Sequence, residues 1–108
     1  MTFKTIITRK FENDLDSVIS YISIKLSNPV AAKNLLNKTE EAIKILSDSP
    51  LVFPIYHNSL IKEKEYRFLT VGNYIIFYRI DEAAKTVYVA RFLYSGQNIE
   101  KILWIISF

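Results

Sequence analysis

Apolar residues recur with helical spacing in two successive segments of the chain. In the first segment they are Phe11, Leu15, Val18, Ile19, Ile22 and Leu26. In the second they are Ala32, Leu35, Leu36, Ala42, Ile43 and Leu46, with Thr39 on the same face. Both series follow the i, i+4, i+7 rhythm of an amphipathic helix. The pattern therefore predicts two helices, the second ending near residues 47–49.

The dipeptide Asn28-Pro29 separates these two helices. Proline disfavours helical geometry in the residue before it, yet it suits the first position of a new helix, with Asn28 as the N-cap. Because the connection is so short, the two helices are expected to form an antiparallel hairpin.

Strand-like segments flank the predicted hairpin. Phe3–Thr8 is rich in β-branched and aromatic residues, and so are residues 65–71, 74–80 and 86–94. Turns at Gly72-Asn73 and Asp81–Lys85 separate the last three segments. The order predicts an α+β fold: an N-terminal strand, an α-helical hairpin, then a three-stranded antiparallel meander, in one small, mostly antiparallel sheet. Residues 1–108 are expected to form a single domain.

Both faces of the predicted middle strand are largely apolar. Alternation places Tyr74, Ile76, Tyr78 and Ile80 on one face, and Ile75, Phe77 and Arg79 on the other. The helical hairpin can cover only one of these faces. The other needs either the apolar C-terminal segment IEKILWIISF, which contains Trp104, or a partner protein.

Composition excludes several kinds of chemistry. The chain has no cysteine and a single histidine, and its carboxylates are not spaced as metal ligands, so no metal or other cofactor is expected. With only two glycines it lacks a phosphate-binding glycine-rich loop. No apolar run approaches the roughly 18–20 residues of a membrane span, and a cytoplasmic protein is expected.

Arginine, lysine and tyrosine remain as chemistry-bearing residues. Arg67, Arg79 and Arg91 stand one on each strand of the meander, and Lys62 and Lys64 precede it in a loop with His57. Such residues can assemble a metal-independent ribonuclease, or they can bind nucleic acid or acidic protein without any reaction. His57 has no indicated nucleophile beside it, so an ordinary loop histidine is favoured. The net charge of +3 permits nucleic-acid contact without requiring it.

The element order and several phrases resemble the toxins of RelE/ParE type II toxin–antitoxin systems. The phrases are DLDSVISYI, NPVAAKNLL, AIKILSDSP, EYRFLTVGNYIIFYRID and VYVARFLYSGQN. The likeness covers nearly the whole chain and is closer to the ParE branch. It implies a growth-inhibiting toxin in a hetero-oligomer with a cognate antitoxin, whose C-terminal segment wraps the toxin as helix and strand.

The resemblance implies one of two targets. ParE-type members inhibit DNA gyrase, whereas RelE-type members cut mRNA on the ribosome. The middle-strand arginine of the RelE-type enzymes falls at about Ile75 here, and their basic residues after the last strand fall near residues 94–97, which include no arginine or lysine. Gyrase binding is therefore favoured over mRNA cleavage, and a non-toxic binding remnant is a third reading.

The resemblance and the residue types together assign the candidate site residues. For mRNA cleavage the catalytic candidates are Lys62, Lys64 and Arg67. For binding of a target or an antitoxin they are Arg79, Arg91, Tyr94 and Trp104.

Overall fold

A computed structural model describes residues 2–56, 65–97 and 99 of the chain. The elements are β1 (Lys4–Ile7), α1 (Arg9–Ser20), a π-helical segment (Tyr21–Lys25), α2 (Pro29–Asp48), β2 (Arg67–Val71), β3 (Tyr74–Asp81) and β4 (Thr86–Tyr94). This order confirms the predicted α+β fold. The first helical pattern divides into an α-helix and a π-helical segment, where a single helix was predicted.

Local capping explains where the helices begin. The side chain of Thr8 accepts a hydrogen bond from Phe11 N at the start of α1. Asn28 does the same for Ala31 N at the start of α2, where Pro29 occupies the first turn. Both caps satisfy amide donors that a helix leaves without an internal acceptor. The predicted role of Asn28-Pro29 in starting the second helix is thereby confirmed.

The four strands form one sheet in the order β1-β4-β3-β2. β1 runs parallel to β4, and the other two pairings are antiparallel. Gly72, with a φ of 59°, lies in the predicted turn between β2 and β3. The segment before β2, predicted to be a loop, adds a short antiparallel pairing: Tyr56 N donates to Tyr66 O (2.7 Å) and Phe68 N to Pro54 O (3.1 Å).

The two faces of the sheet carry separate hydrophobic clusters. The face toward the helices packs Ile76, Tyr78 and Phe92 against Phe11 and Leu46. The opposite face forms a second cluster of buried residues, which are Tyr66, Phe77, Leu93 and Ile99. Both faces of the sheet were predicted to need covering residues. On the face opposite the helices, Tyr56 and Ile99 provide part of this cover. Trp104 and the rest of the C-terminal segment lie outside the described residues.

A β-bulge at Ala90 changes the phase of β4. The register passes from the pair Tyr78–Val89 to the pair Phe77–Arg91, which leaves Ala90 as the extra residue. As a result Val89 and Phe92 both join the helix-facing cluster, although strict alternation would place them on opposite faces. The bulge also sets the position of Arg91.

Candidate functional site

Arg67 is held against the loop that precedes β2. Its guanidinium donates to Phe53 O at 2.6 Å and to Leu51 O at 3.4 Å, and it lies 3.7 Å from a carboxylate oxygen of Glu65. The Arg67 side chain is only 16% exposed, whereas that of Glu65 is 64% exposed. The ion pair with Glu65 therefore contributes less than the hydrogen bonds to the loop carbonyls. The arrangement fixes the loop on the edge strand of the sheet.

Tyr78 lies close to Arg67 and is fully buried. Its hydroxyl donates a hydrogen bond to Pro50 O at 2.5 Å. Burial raises the pKa of Tyr78 to about 12, and the charge of Arg67 only partly offsets this effect. The phenol therefore stays protonated at physiological pH and acts as a structural donor rather than as a base.

Arg91 forms an ion pair with Asp14 on α1. Arg91 Nε lies 2.6 Å from Asp14 Oδ2, and a terminal guanidinium nitrogen lies 2.9 Å from Oδ1. Both side chains are about five-sixths buried, at 17% and 16% exposure. Two parallel contacts between a guanidinium and a carboxylate give this pair a fixed geometry. The predicted binding residue Arg91 thus has an acidic partner within its own chain.

Side chains also cover the part of the β4 edge that extends past β1. Asp14 Oδ2 accepts from Phe92 N (3.0 Å), Gln97 Oε1 accepts from Tyr94 N (3.0 Å), and Thr8 Oγ1 donates to Ala90 O (3.0 Å). An edge strand normally offers such groups to another chain. Here polar side chains of the same molecule occupy three of them.

A groove of about 340 Å³ lies between α1 and this end of β4. Its walls include Asp14 and Tyr21 from the helical side and Tyr74, Arg91 and Tyr94 from the sheet. The Tyr74 ring stacks on Phe92, which belongs to the helix-facing cluster, at a centroid distance of 5.1 Å. Burial raises the pKa of Tyr74 above its ordinary value. The Tyr94 side chain is half exposed at the mouth of the groove.

Arg79 lies elsewhere, on the sheet face opposite the helices. Its guanidinium carbon is 5.8 Å from the centroid of the Tyr66 ring, within the range of a cation–π contact. Arg79 lines a pocket of about 280 Å³ together with Lys10 and Tyr88. The structure therefore brings Arg91 and Tyr94 into one groove and places Arg67 and Arg79 apart from it.

His57, Lys62, Lys64 and Trp104 lie outside the described residues. Among the residues that are described, no group of three His, Cys, Asp or Glu side chains could hold a metal ion. Within the same part of the chain, no helix has the length and apolarity needed to cross a membrane.

The sequence did not predict the role of Asp14. Its position in the helical pattern is that of an acidic residue on the solvent-facing side of a helix, so nothing distinguished it from the other charged residues there.

Comparison with known proteins identifies the family. The sequence model described as "ParE toxin of type II toxin-antitoxin system, parDE" matches residues 5–99, so the chain belongs to this family of toxins. A search of curated protein sequences returned no match.

Two solved structures share the fold. One is described as the chromosomal ParDE toxin–antitoxin system from P. aeruginosa, with a TM-score of 0.69, 19% identity and coverage of 86% of this chain and 96% of that one. The other is the toxin–antitoxin complex RelBE2 from Mycobacterium tuberculosis, with a TM-score of 0.60, 22% identity and coverage of 87% and 99%. The predicted RelE/ParE relationship is confirmed.

Proposed function

We propose that this protein is a toxin that inhibits growth by binding DNA gyrase and is neutralised by a cognate antitoxin. The family match over residues 5–99 is the observation that carries the proposal. The similar structures come from ParDE and RelBE2 toxin–antitoxin systems, which supports an antitoxin partner and a hetero-oligomeric resting state. A toxin with this target would act in the cytoplasm.

Contacts within the sheet favour binding over RNA cleavage. Cleavage requires cations free to meet a phosphate and a group able to remove a proton. Arg67 instead donates to the carbonyl of Phe53, and the Tyr78 phenol donates to that of Pro50. Ile75 occupies the position that the family resemblance gives to the middle-strand arginine of the RelE-type enzymes, and it packs against the second hydrophobic cluster. Lys62 and Lys64 keep their proposed catalytic role only under the cleavage alternative.

The candidate binding residues divide into two roles in this proposal. Tyr94 offers a partly exposed side chain to a protein partner at the mouth of the groove, whereas Arg79 lies outside the groove and is a candidate for contact with a different ligand. Arg91 supports the wall of the groove through Asp14, and its effect on binding would be indirect. Trp104 remains a predicted contact. The groove between α1 and β4 is thus the proposed contact surface for gyrase or for the antitoxin.

The deciding experiment compares two purified systems. The protein is added to gyrase with relaxed plasmid and, separately, to a reconstituted translation reaction on a defined mRNA. We expect loss of supercoiling and trapped broken DNA in the first reaction, and intact mRNA by primer extension in the second. Codon-phased cuts that need the ribosome, with normal supercoiling, would replace the gyrase proposal by mRNA cleavage.

Matched variants connect the groove to the target. Tyr94→Ala should weaken gyrase inhibition several-fold, because it removes an exposed ring at the mouth of the groove. Lys33→Ala, on the exposed surface of α2, serves as the control and should leave inhibition unchanged. In cells, induced expression should arrest growth, and co-expression of the antitoxin should restore it. Harmless overexpression of the folded protein without antitoxin would indicate a non-toxic remnant.

A further inference from the structure

The pocket beside Arg79 combines cations with aromatic rings on the sheet face opposite the helices. Tyr78 packs in the helix-facing cluster, so its neighbour Arg79 points to the other side of β3. Lys10 and Thr8 reach the same pocket from the beginning of α1, and Tyr66, Tyr88 and Ala90 are the other described residues that line it. The volume is about 280 Å³, and none of the described residues that line the pocket is a carboxylate.

Arg79 is oriented by an aromatic ring and forms no salt bridge with a carboxylate among the described residues. The contact with the Tyr66 ring holds its guanidinium, while the salt bridges found in the described part of the chain involve Arg67 and Arg91 instead. Asp81 and Glu82 line an adjacent pocket together with Arg79, yet neither carboxylate comes within the 4.0 Å of a salt bridge. The guanidinium donors therefore remain able to meet an anion in fixed geometry.

The beginning of α1 adds positive potential at the same place. Thr8 caps the helix, and its oxygens accept from Phe11 N and Glu12 N. The amides of Arg9 and Lys10 come before those of Phe11 and Glu12 and belong to the first turn of the helix. The N–H groups of a first turn have no acceptor within the helix. The positive end of the helix dipole thus reinforces the two side-chain cations.

Tyr88 supplies a surface for stacking. It is paired with Arg79 across β3 and β4 and remains 38% exposed. Bases stack on tyrosine rings with little dependence on sequence, and arginine and lysine contact the neighbouring phosphate. We propose that this pocket binds one nucleotide, with its phosphate on Arg79 and Lys10 and its base on Tyr88. The described residues that line this pocket are different from those that line the groove, and nucleotide binding here does not depend on which target the toxin has.

A binding assay without gyrase or antitoxin tests this inference. A fluorescein-labelled single-stranded DNA oligonucleotide is titrated with the full chain at low salt, and anisotropy is measured. We expect Arg79→Gln and Lys10→Gln each to weaken binding about five- to tenfold and to reduce the salt slope by about 1. Tyr88→Ala should weaken binding about fivefold or more through lost stacking.

The control is Lys33→Gln, which changes the net charge equally on α2, away from the pocket. It should bind like the unmodified protein. Equal losses in Lys33→Gln and Arg79→Gln, or no loss in Arg79→Gln, would overturn the proposal. Circular dichroism checks that each variant is folded. If Arg79→Gln does not fold, the binding of Lys10→Gln, a change at an exposed position, decides the result.

Competition identifies the source of the nucleotide. Displacement of the oligonucleotide by AMP would indicate a free mononucleotide, and resistance to AMP would indicate a nucleic-acid strand. Either outcome supports a nucleotide site. A glutamate-rich peptide is tested as a second competitor. If it displaced the labelled oligonucleotide at the concentration at which unlabelled oligonucleotide does so, the result would indicate an acidic protein partner and would contradict the nucleotide assignment.

Discussion

Asp14 and Arg91 are separated by 77 residues in sequence but joined by two hydrogen bonds, of 2.6 and 2.9 Å. The same carboxylate accepts a third bond from Phe92 N at 3.0 Å. Asp14 therefore ties α1 to the end of β4 and occupies an edge amide of the sheet. The pair forms part of the wall of the groove proposed for partner binding.

Breaking this pair should destabilise the protein. Asp14→Ala leaves the Arg91 charge and the Phe92 amide without their acceptor, and we expect a loss of about 2–3 kcal/mol in the free energy of unfolding. Arg91→Ala should cost less, because Asp14 keeps the Phe92 amide as a partner. Urea denaturation of the two single variants and the double variant gives the coupling energy.

Lys33→Ala is the control for this series, because Lys33 is exposed and no salt bridge is found for it in the described part of the chain. Its stability should stay within about 0.5 kcal/mol of the original. If Asp14→Ala were as stable as this control, the ion pair would have no structural role. Arg91 would then be available for direct contact with a partner.

The sequence pattern predicted the fold through strong local signals. The apolar spacing of both helices, the cap at Asn28 and the turn at Gly72 each reflect interactions between residues that are near in sequence. The bulge at Ala90 has no such signal, because one extra residue in a β-rich segment leaves its composition unchanged. Its consequence is that Val89 and Phe92 share a face, which strict alternation does not allow.

The site was harder to predict for a related reason. Arg67 and Arg91 were recognised as cations on strands, but their partners are the Phe53 carbonyl and Asp14. A backbone carbonyl carries no sequence signature, and the Asp14 contact depends on how α1 crosses the sheet. The sequence thus identifies the charged residues, whereas the tertiary fold decides which of them remain available to a ligand.

Arg67→Ala tests whether Arg67 is structural. The variant loses the contact with Phe53 O, and we expect the free energy of unfolding to fall by about 1–3 kcal/mol. Lys44→Ala, an exposed change on α2, should have little effect. Below the unfolding temperature of Arg67→Ala, gyrase inhibition should persist. If Arg67→Ala instead kept full stability but lost ribosome-dependent RNA cutting, Arg67 would be a catalytic residue.

Tyr78 should make stability fall at alkaline pH. Its pKa is about 12 in the folded protein and 10.0 as the ordinary value, so the unfolded chain loses the phenolic proton first. The stabilisation is complete below pH 10 and disappears as the pH rises through 12. Between pH 9 and 11 the unmodified protein should lose about 1–1.5 kcal/mol more than Tyr78→Phe, as measured by urea denaturation.

The same variant provides a reference at neutral pH. Tyr78→Phe leaves Pro50 O without its donor, and we expect a loss of about 1–2 kcal/mol at pH 7. Tyr88→Phe, at a more exposed position on β4, is the matched control. Identical alkaline profiles for the unmodified protein and Tyr78→Phe would show that the Tyr78 hydroxyl does not titrate as its burial requires.

Thr5→Val should stabilise the protein. The Thr5 hydroxyl oxygen is buried without a hydrogen-bond partner, and it is the only buried side-chain polar atom of this kind within residues 2–56, 65–97 and 99. Valine has nearly the same shape and suits a strand equally well, so the substitution removes an unsatisfied polar group without leaving a cavity. We expect a gain of about 1 kcal/mol in the free energy of unfolding. The same change at the exposed Thr70 on β2 is the control, and a gain of equal size there would show that strand propensity, rather than the buried hydroxyl, is responsible.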